Sequence, residues 1–307
     1  MHRIPAALSP PSSRPGRSRL LALAALAAVA LLLTCTATAS ADFITPESGG
    51  SPNADDIDTL YKYILAVATV VFVGVEATLL YSLFKFRARK GAVAAQIRGN
   101  TRLEIGWTVG AAVILVVLSV LTFSMLGGIR NPPNSGPDGL RLANGVLVAS
   151  GPKERLPPNG KSLNILVNGQ QYLWRYTYPD GDENPLNNAF SYEEMVVPLD
   201  TTVTLEIRSQ DVAHSWWIPK LGGKFDAIPG YTNYTWFKIP SSKWKSGTVF
   251  TGQCAELCGR NHANMTAAVK AVTPAEYERF IEQRKRDIKA ANDAAAIQRR
   301  QQEGQTP

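Results

Sequence analysis

The 307-residue chain has few of the residues that build disulfide frameworks and metal sites, with only three cysteines and three histidines. It contains no Cys-x-x-Cys-His sequence, which excludes an attached c-type heme, and it has no internal repeat. Its net charge is +7, but many basic residues lie in the N-terminal leader and in the short loop from Lys85 to Arg102. No basic stripe runs through the rest of the chain, so nucleic-acid binding is a poor explanation of the charge.

Residues 1–41 are typical of a secretory signal peptide that is cleaved from the mature protein. An apolar run from Leu20 to Leu33 follows several arginines, and Ala39-Ser-Ala41 provides a small-x-small cleavage site. Lipidation at Cys35 is the alternative, although the residue before this cysteine fits a lipoprotein signal poorly. Cleavage would leave only the two downstream cysteines, so a structural disulfide elsewhere in the mature chain is excluded.

Two long apolar stretches follow, Tyr63–Phe84 and Ile105–Leu126. Each is long enough to cross a hydrocarbon core of about 30 Å as a helix, and Glu76 is the only charged residue in either. A buried helical hairpin of a soluble protein is the alternative. Because the loop between the stretches is rich in lysine and arginine, the positive-inside rule places it in the cytoplasm. We therefore expect residues 42–126 to form an N-terminal segment and two transmembrane helices, with the rest of the chain on the outer side.

The C-terminal half is predicted to form a β-domain between a linker and a polar tail. Residues 127–160 are rich in glycine, proline and asparagine, which is typical of a linker. Residues 161–272 contain short β-branched and aromatic runs separated by turn residues, which predicts an antiparallel sandwich. These runs are Ser162–Val167, Tyr172–Tyr178, Thr202–Ser209, Thr232–Ile239, Gly247–Gln253 and Ala267–Val272. In the polar tail, residues 273–307, Pro274 opens a charged helix and residues 298–307 are expected to lack regular structure.

The residues suited to metal binding are concentrated in one segment, here named the ligand loop, which reads Cys254-Ala-Glu-Leu-Cys258-Gly-Arg-Asn-His262-Ala-Asn-Met265. His214 precedes it in the chain. Thiolate, thioether and imidazole ligands together suit copper. Zinc, for which methionine is a poor ligand, is the main rival, and a disulfide or a packed core histidine are further alternatives. Two thiolates can bridge two copper ions, each completed by one imidazole and one weak axial ligand, of which Met265 would be one and a main-chain oxygen the other.

The pattern Cys-x-Glu-x-Cys-Gly-x-x-His-x-x-Met resembles the copper A loop of cytochrome c oxidase subunit 2. The flanking segments Asp211–Pro219 and Leu221–Gly230 are similar to that family as well, and so are both apolar stretches. The resemblance implies a membrane-anchored α+β protein, in which a two-helix transmembrane hairpin precedes an all-β, cupredoxin-like Greek-key barrel at residues 161–272.

The same resemblance implies a set of copper ligands and a second metal. Two copper ions would be held by His214, Cys254, Cys258, His262 and Met265. In the family, the carbonyl at Glu256 is the second axial ligand, and its side chain reaches a magnesium ion shared with subunit 1.

The function implied by the resemblance is that of an electron-transfer subunit of a respiratory terminal oxidase. Such a subunit accepts electrons from cytochrome c at copper A and passes them to heme in subunit 1, where oxygen is reduced to water with proton pumping. The implied partners are subunit 1, subunit 3, cytochrome c and membrane lipid, in the plasma membrane of a bacterium with the copper domain on the periplasmic side. Two alternatives stay open: the copper A subunit of a nitric oxide reductase, and a membrane-anchored copper delivery protein, which is expected on a thioredoxin-like scaffold.

Two residues outside the metal site acquire roles only through the resemblance. The family pattern Gly-x-Gln-Trp-x-Trp-x-Tyr is matched by Gly169–Tyr176, except that Tyr172 replaces the first Trp, where electrons from cytochrome c enter. Glu104 matches a glutamate at the mouth of a proton pathway into subunit 1, although the dipole of a helix also favours a glutamate in its first turn. A docking surface for cytochrome c, or ordinary solvated charge, is predicted at Asp180, Asp182, Glu183, Glu193, Glu194 and Asp211.

Overall fold

The structure, a computed structural model, describes residues 44–88, 90, 91, 93, 95–141, 156–180 and 187–304. The predicted signal peptide with Cys35, and two of the predicted docking acids, Asp182 and Glu183, lie outside the described residues.

Two long helices contain the apolar stretches, α1 from Pro52 to Lys85 and α2 from Thr101 to Arg130. Pro52 occupies the first turn of α1, and the side chain of Asn100 caps α2 by accepting the N–H of Leu103. Both helices are long and apolar enough to cross a membrane, and their apolar windows are not buried inside the protein. This exposure contradicts the alternative of a buried hairpin in a soluble protein.

The outer ends of both helices are attached to the β-domain. The side-chain amide of Asn53, in the first turn of α1, donates to the carbonyl of Trp236 at 2.8 Å. The indole of Trp236 donates to the carbonyl of Ile129, near the end of α2, at 3.1 Å. Lys243 forms an ion pair with Asp55 at 2.8 Å. The β-domain is therefore held at the end of the hairpin that the positive-inside rule places outside.

The segment predicted to be a linker begins as helix and then follows the β-domain. Helix α2 continues to Arg130, beyond the apolar stretch. The hydroxyl of Thr202 donates to the carbonyl of Pro133 at 2.6 Å, and the N–H of Leu140 donates to the hydroxyl of Thr201 at 2.8 Å. Residues 131–140 thus run along the turn that precedes a central strand of the domain.

Within the described residues, ten strands form two five-stranded sheets that pack face to face. The first sheet has the order β3-β2-β1-β5-β8, with β1 Leu163–Gln170, β2 Leu173–Tyr178, β3 Ala189–Tyr192, β5 Thr202–Ser209 and β8 Asn233–Lys238. The second has the order β4-β10-β9-β6-β7, with β4 Glu194–Pro198, β6 His214–Trp217, β7 Phe225–Ala227, β9 Val249–Cys254 and β10 Thr266–Val272. Side chains from the facing strands, such as Ile165, Trp174, Val197 and Val269, are buried between the sheets.

The structure confirms a β-sandwich but corrects its strand directions. Two pairs, β1 with β5 and β4 with β10, are parallel, whereas the other pairs are antiparallel. The sequence also missed four short strands, β3, β4, β6 and β7. These include β6, which begins at His214.

Helix α3, from Pro274 to Glu303, follows the last strand. A capping box between Thr273 and Glu276 fixes its start, and the rings of Tyr277 and Phe280 pack edge-on against Tyr178 at 6.2 and 5.5 Å. The helix reaches Glu303, so the expectation that residues 298–307 lack regular structure is wrong as far as that residue.

Candidate metal centre

The predicted ligands come together at one edge of the second sheet, where β9 ends and β6 and β10 begin. His214 begins β6, Cys254 ends β9, and Met265 lies immediately before β10. The N–H of Cys254 donates to the carbonyl of Met265 at 2.8 Å, and the N–H of Ala255 donates to the carbonyl of Ser215 at 2.8 Å. Because strand pairing fixes both ends of the ligand loop and the start of β6, three of the five side-chain donors have little freedom to move.

Cys254 forms the first half of the site. Its sulfur lies 3.9 Å from Nδ1 of His214 and 3.2 Å from the carbonyl oxygen of Glu256. The His214 ring is completely buried, and Cys254 is only 3% exposed. This half therefore offers a thiol, an imidazole nitrogen and one weak oxygen donor.

Cys258 forms the second half. Its sulfur lies 3.6 Å from Nδ1 of His262 and 3.8 Å from the sulfur of Met265. Met265 is completely buried, whereas His262 is half-buried. The two cysteine sulfurs are 3.9 Å apart, so the two halves of the site meet at these sulfurs. The second half repeats the first, with a thioether in place of the carbonyl oxygen.

The donors fit copper, and the geometry weakens the rival interpretations. A disulfide needs an S–S separation of about 2.05 Å, whereas both cysteines are free and their sulfurs are 3.9 Å apart. One tetrahedral zinc ion would use two thiolates and two imidazoles and leave the buried Met265 sulfur without a role. Thiolate, imidazole and a weak thioether are instead the donors that copper electron-transfer sites use.

Asp211, which the sequence predicts to be a docking acid or an ordinary solvated charge, orients His214. Its carboxylate accepts a hydrogen bond from Nε2 of His214 at 2.8 Å, which leaves Nδ1 facing Cys254. Partial burial raises the pKa of Asp211, but hydrogen bonds from the backbone of Gln171, from His214 and from Val212 lower it to about 2. Burial lowers the pKa of His214, whereas Cys254 and Asp211 raise it, and the net direction is upward. The pair fixes the orientation of the ring in the absence of metal.

The two thiols differ in acidity. Burial raises the pKa of Cys254, but hydrogen bonds with His214 and with nearby backbone groups lower it to about 6. Burial and the neighbouring Cys254 raise the pKa of Cys258 to about 11. The charge on Cys254 disfavours a second charge on Cys258, and a bound cation would offset that repulsion. Metal binding at this site should release protons.

The aromatic residues around the site pack closely. The ring of Trp174 meets the His214 ring edge-on, with 5.9 Å between centroids, and Trp216 stacks on Phe237 at 6.4 Å. A Cβ atom at Gly169 would lie 2.9 Å from Trp174 and 3.1 Å from His214, so only glycine fits there. This packing excludes water from the His214 side of the site.

Tyr172 lies in the β1–β2 turn, against the ligand loop. It is half-buried, and its hydroxyl occupies the space where a Cβ atom at Gly259 would lie. Gly259 also has a φ of +131°, which favours glycine. Gln171, another residue without a prior assignment, donates through its side chain to the carbonyl of Cys258 at 2.7 Å. A cue for Asp211 lies in its spacing, three residues before His214. Gln171 is the fixed glutamine of the pattern matched by Gly169–Tyr176, but that pattern does not indicate its hydrogen bond to Cys258.

The other predicted residues lie away from the metal centre. Glu104 is exposed in the first turn of α2 and accepts the N–H of Asn100 at 3.2 Å, so in this chain it caps the helix. Among the predicted docking acids, Asp180 pairs with Lys285 at 2.5 Å. Glu194 approaches Lys270 at 4.0 Å.

Comparison with known proteins identifies the family. The model described as "Cytochrome C oxidase subunit II, periplasmic domain" matches residues 187–272, and the one described as "Cytochrome C oxidase subunit II, transmembrane domain" matches residues 41–125. Cytochrome c oxidase subunit 2 of Synechocystis sp. is 31% identical over 75% of this chain and 73% of its own length. The chain belongs to the cytochrome c oxidase subunit 2 family.

Another family member and one solved structure are also similar to this chain in sequence. The probable cytochrome c oxidase subunit 2 of Rickettsia bellii is 29% identical over 75% of this chain and 80% of its own. The crystal structure of the periplasmic domain of subunit II of cytochrome oxidase from Bradyrhizobium japonicum is 33% identical, covers 41% of this chain and 95% of that chain, and has a TM-score of 0.36.

Membership in the cytochrome c oxidase subunit 2 family assigns the chain to an oxidoreductase complex with other oxidase subunits. Its two apolar helices and the transmembrane family match make it a membrane-anchored protein with a cupredoxin-like β-domain. Copper is the metal expected for the family, and the grouping of His214, Cys254 and Cys258 agrees with it. In the described part of the chain no α-helix lies between the strands, which argues against a thioredoxin-like copper delivery protein.

Proposed function

We propose that this chain is the electron-receiving subunit of a respiratory terminal oxidase, with cytochrome c as donor and heme in subunit 1 as acceptor. Oxygen is reduced to water in subunit 1, and the reaction is coupled to proton pumping. The observation that carries the proposal is the paired arrangement of donors. Two thiols lie 3.9 Å apart, and each has its own imidazole and its own weak donor.

The proposed ligands of two copper ions are the six groups of these two halves. Cys254 and Cys258 would hold the ions through their sulfurs, His214 and His262 through their imidazoles, and Met265 and the carbonyl of Glu256 would add two weak donors. When bound, the copper pair supplies a one-electron redox centre with the charge spread over two ions.

The protein contributes rigidity and a dry environment to this centre. Cys254 and Met265 are joined through their backbones, and His214 is fixed by both Asp211 and Trp174. Ligands that cannot move keep the reorganisation that accompanies electron transfer small, and a buried site tunes the potential. Cys258 is 4% exposed and Met265 is completely buried, so these two donors of the second half are also shielded from water.

Tyr172 is the proposed point at which electrons enter. Its ring is half-buried, and its hydroxyl lies against Gly259, the residue after Cys258. This contact supports a short path from the surface to the ligand loop. Glu256 is exposed in this chain, which leaves its carboxylate available for a magnesium ion shared with subunit 1. Glu104, at the other end of α2, is the proposed mouth of the proton pathway.

The proposed location is the plasma membrane of a bacterium, with the copper domain on the periplasmic side. The basic loop between α1 and α2 supports this orientation through the positive-inside rule. The attachment of Trp236 to Ile129 supports it as well, because it holds the β-domain at the opposite end of the hairpin. Subunits 1 and 3 are the proposed neighbours in the membrane.

The test uses the full-length chain, purified in detergent and loaded with copper. We expect two coppers per chain and an electron paramagnetic resonance spectrum with hyperfine splitting from both ions. Cys254→Ser and Cys258→Ser should each abolish the shared signal, whereas Met265→Leu should keep both coppers because only a weak ligand is lost. One copper per chain, or stoichiometric zinc after copper loading, would contradict the proposal. Turnover of the assembled complex with oxygen and with nitric oxide separates an oxidase from a nitric oxide reductase.

A further inference from the structure

The β1–β2 turn crosses the ligand loop, and one of its residues contacts both halves of the metal centre. The side-chain N–H of Gln171 donates to the carbonyl of Cys258 at 2.7 Å. Its backbone N–H donates to Asp211 at 2.7 Å, and the other carboxylate oxygen of Asp211 accepts the Nε2–H of His214 at 2.8 Å. Gln171 therefore links the half that contains His214 with the half that contains Cys258.

The contact between the turn and the loop is close on both sides of this hydrogen bond. A Cβ atom at Gly259 would lie 2.8 Å from the side-chain amide nitrogen of Gln171 and 2.7 Å from the hydroxyl of Tyr172. On the other side, the N–H of Gln210 donates to the carbonyl of Gly169 at 3.1 Å, which ties the end of β1 to the segment that contains Asp211. The turn thus rests on the ligand loop and on the Asp211 segment at once.

Cys258 is the part of the ligand loop that most needs an external support. The backbone of Cys254 is bonded to Met265, and that of Ala255 to Ser215, so the start of the loop is held by the sheet. Cys258 lies between this start and the short turn that begins at Gly259. A hydrogen bond to its carbonyl fixes the orientation of its peptide and therefore the direction of its side chain.

We propose that Gln171 is a positioning residue, which sets the separation of the His214 and Cys258 halves of the centre before metal binds. It is not a ligand, because its side chain contacts a carbonyl and its backbone a carboxylate. The inference deepens the proposed copper function, on which its metal-bound consequences rest. The hydrogen bonds from Gln171 to Cys258 and Asp211 join only protein groups, so they can be tested without metal.

The first experiment measures the metal-free full-length chain in detergent. Gln171→Met keeps the length of the side chain and removes the donor, and Gln170→Met makes the same change one residue earlier, away from the Cys258 carbonyl. A lost hydrogen bond of about 1 kcal/mol predicts about fivefold faster amide hydrogen exchange in the ligand loop of Gln171→Met. The Gln170→Met protein should match the wild type. Equal exchange in both variants and the wild type would overturn the proposal.

The second experiment measures the same proteins after copper loading. We expect release of copper to a chelator about tenfold faster in Gln171→Met, as for other residues that orient metal ligands, together with altered hyperfine splitting. If Gln171→Met does not accumulate, Gln171→Glu serves instead, because an ionised carboxylate of the same shape cannot donate to a carbonyl. A wild-type chain that binds no copper would defeat the proposed function, while the hydrogen-exchange result would still decide the role of Gln171.

Steady-state kinetics of the assembled oxidase distinguish positioning of the metal centre from a role of Gln171 in docking alone. If Gln171 acted only by contacting cytochrome c, Gln171→Met would raise KM for the donor and leave the copper spectrum and the metal-free exchange rates unchanged. That result would refute positioning. A lower kcat with an altered spectrum, in contrast, would support it.

Discussion

Gly169→Ala is the most direct test of how tightly the His214 half of the site is packed. A Cβ atom at this position would lie 2.9 Å from Cζ3 of Trp174 and 3.1 and 3.3 Å from two carbons of the His214 ring. Because carbon atoms are at optimal separation from about 3.5 Å, the imidazole must retreat by about 0.4 Å and the indole by about 0.6 Å. Both rings are completely buried, and Asp211 also holds the imidazole, so the strain cannot be relieved into solvent.

Overpacking of this kind costs about 1–3 kcal/mol, which for a protein of this size lowers the melting temperature by roughly 5 °C. Circular dichroism of the metal-free full-length chain measures the destabilisation, and the hyperfine splitting of the copper-loaded chain measures the displacement of His214. Gly230→Ala is the control, because Gly230 has a φ of +76° and open space around it. It should lower the melting temperature through backbone strain and leave the spectrum unchanged. An unchanged spectrum in Gly169→Ala, or an equal change in Gly230→Ala, would refute the reasoning.

Three other predictions concern electron transfer, the C-terminal helix and topology. Tyr172→Leu should slow oxidation of cytochrome c far more than turnover with a small artificial reductant, while Tyr172→Trp and the control Tyr192→Leu should leave both rates intact. Hydrogen bonds from Ser246 and from the helix N-cap lower the pKa of Glu276 to about 2 from 4.5, so its stabilisation of α3 is complete above pH 4.5 and is lost as the pH falls towards 2. Hydrogen exchange in the first turn of α3 should follow that profile in the wild type but not in Glu276→Gln. A cysteine introduced at the exposed Val93 should resist labelling by a membrane-impermeant reagent added outside intact cells. Labelling from outside would show that the loop between α1 and α2 is not cytoplasmic.

The sequence predicts the strongly patterned elements and misses those defined by their neighbours. Two long apolar stretches are sufficient to indicate α1 and α2, and six β-rich runs correspond to six strands. The missed strands β6 and β7 span only four and three residues, and their pairing with each other and with β9 defines them. Between β3 and β4, Glu193 has a φ of +61° and interrupts what would otherwise be one run. Parallel pairing of β1 with β5 depends on the crossover between them, and the composition of neither strand records it.

The C-terminal tail shows why composition alone misled the prediction there. The last residues of α3 are polar, which is typical of disordered segments, yet glutamine, arginine and glutamate are all good helix formers. A capping box at Thr273 and contacts of Tyr277 and Phe280 with the sheet start the helix in a fixed direction. Propagation then adds one hydrogen bond per residue, so the helix continues until Gly304.

In the metal centre as well, the sequence predicts some residues, and the tertiary fold alone reveals others. Its donors could be identified from residue type and spacing, because four of the five side chains lie in one loop. The residues that orient them could not, since Gln171 and Cys258 are 87 positions apart and meet only when the β1–β2 turn folds over the loop. Asp211 illustrates the consequence: the sequence predicts it to be part of a docking surface or an ordinary solvated charge, and the structure adds that it holds the ring of His214. Replacing it should therefore disturb the copper spectrum before it alters donor binding, which separates a residue that orients a ligand from one that only attracts a partner.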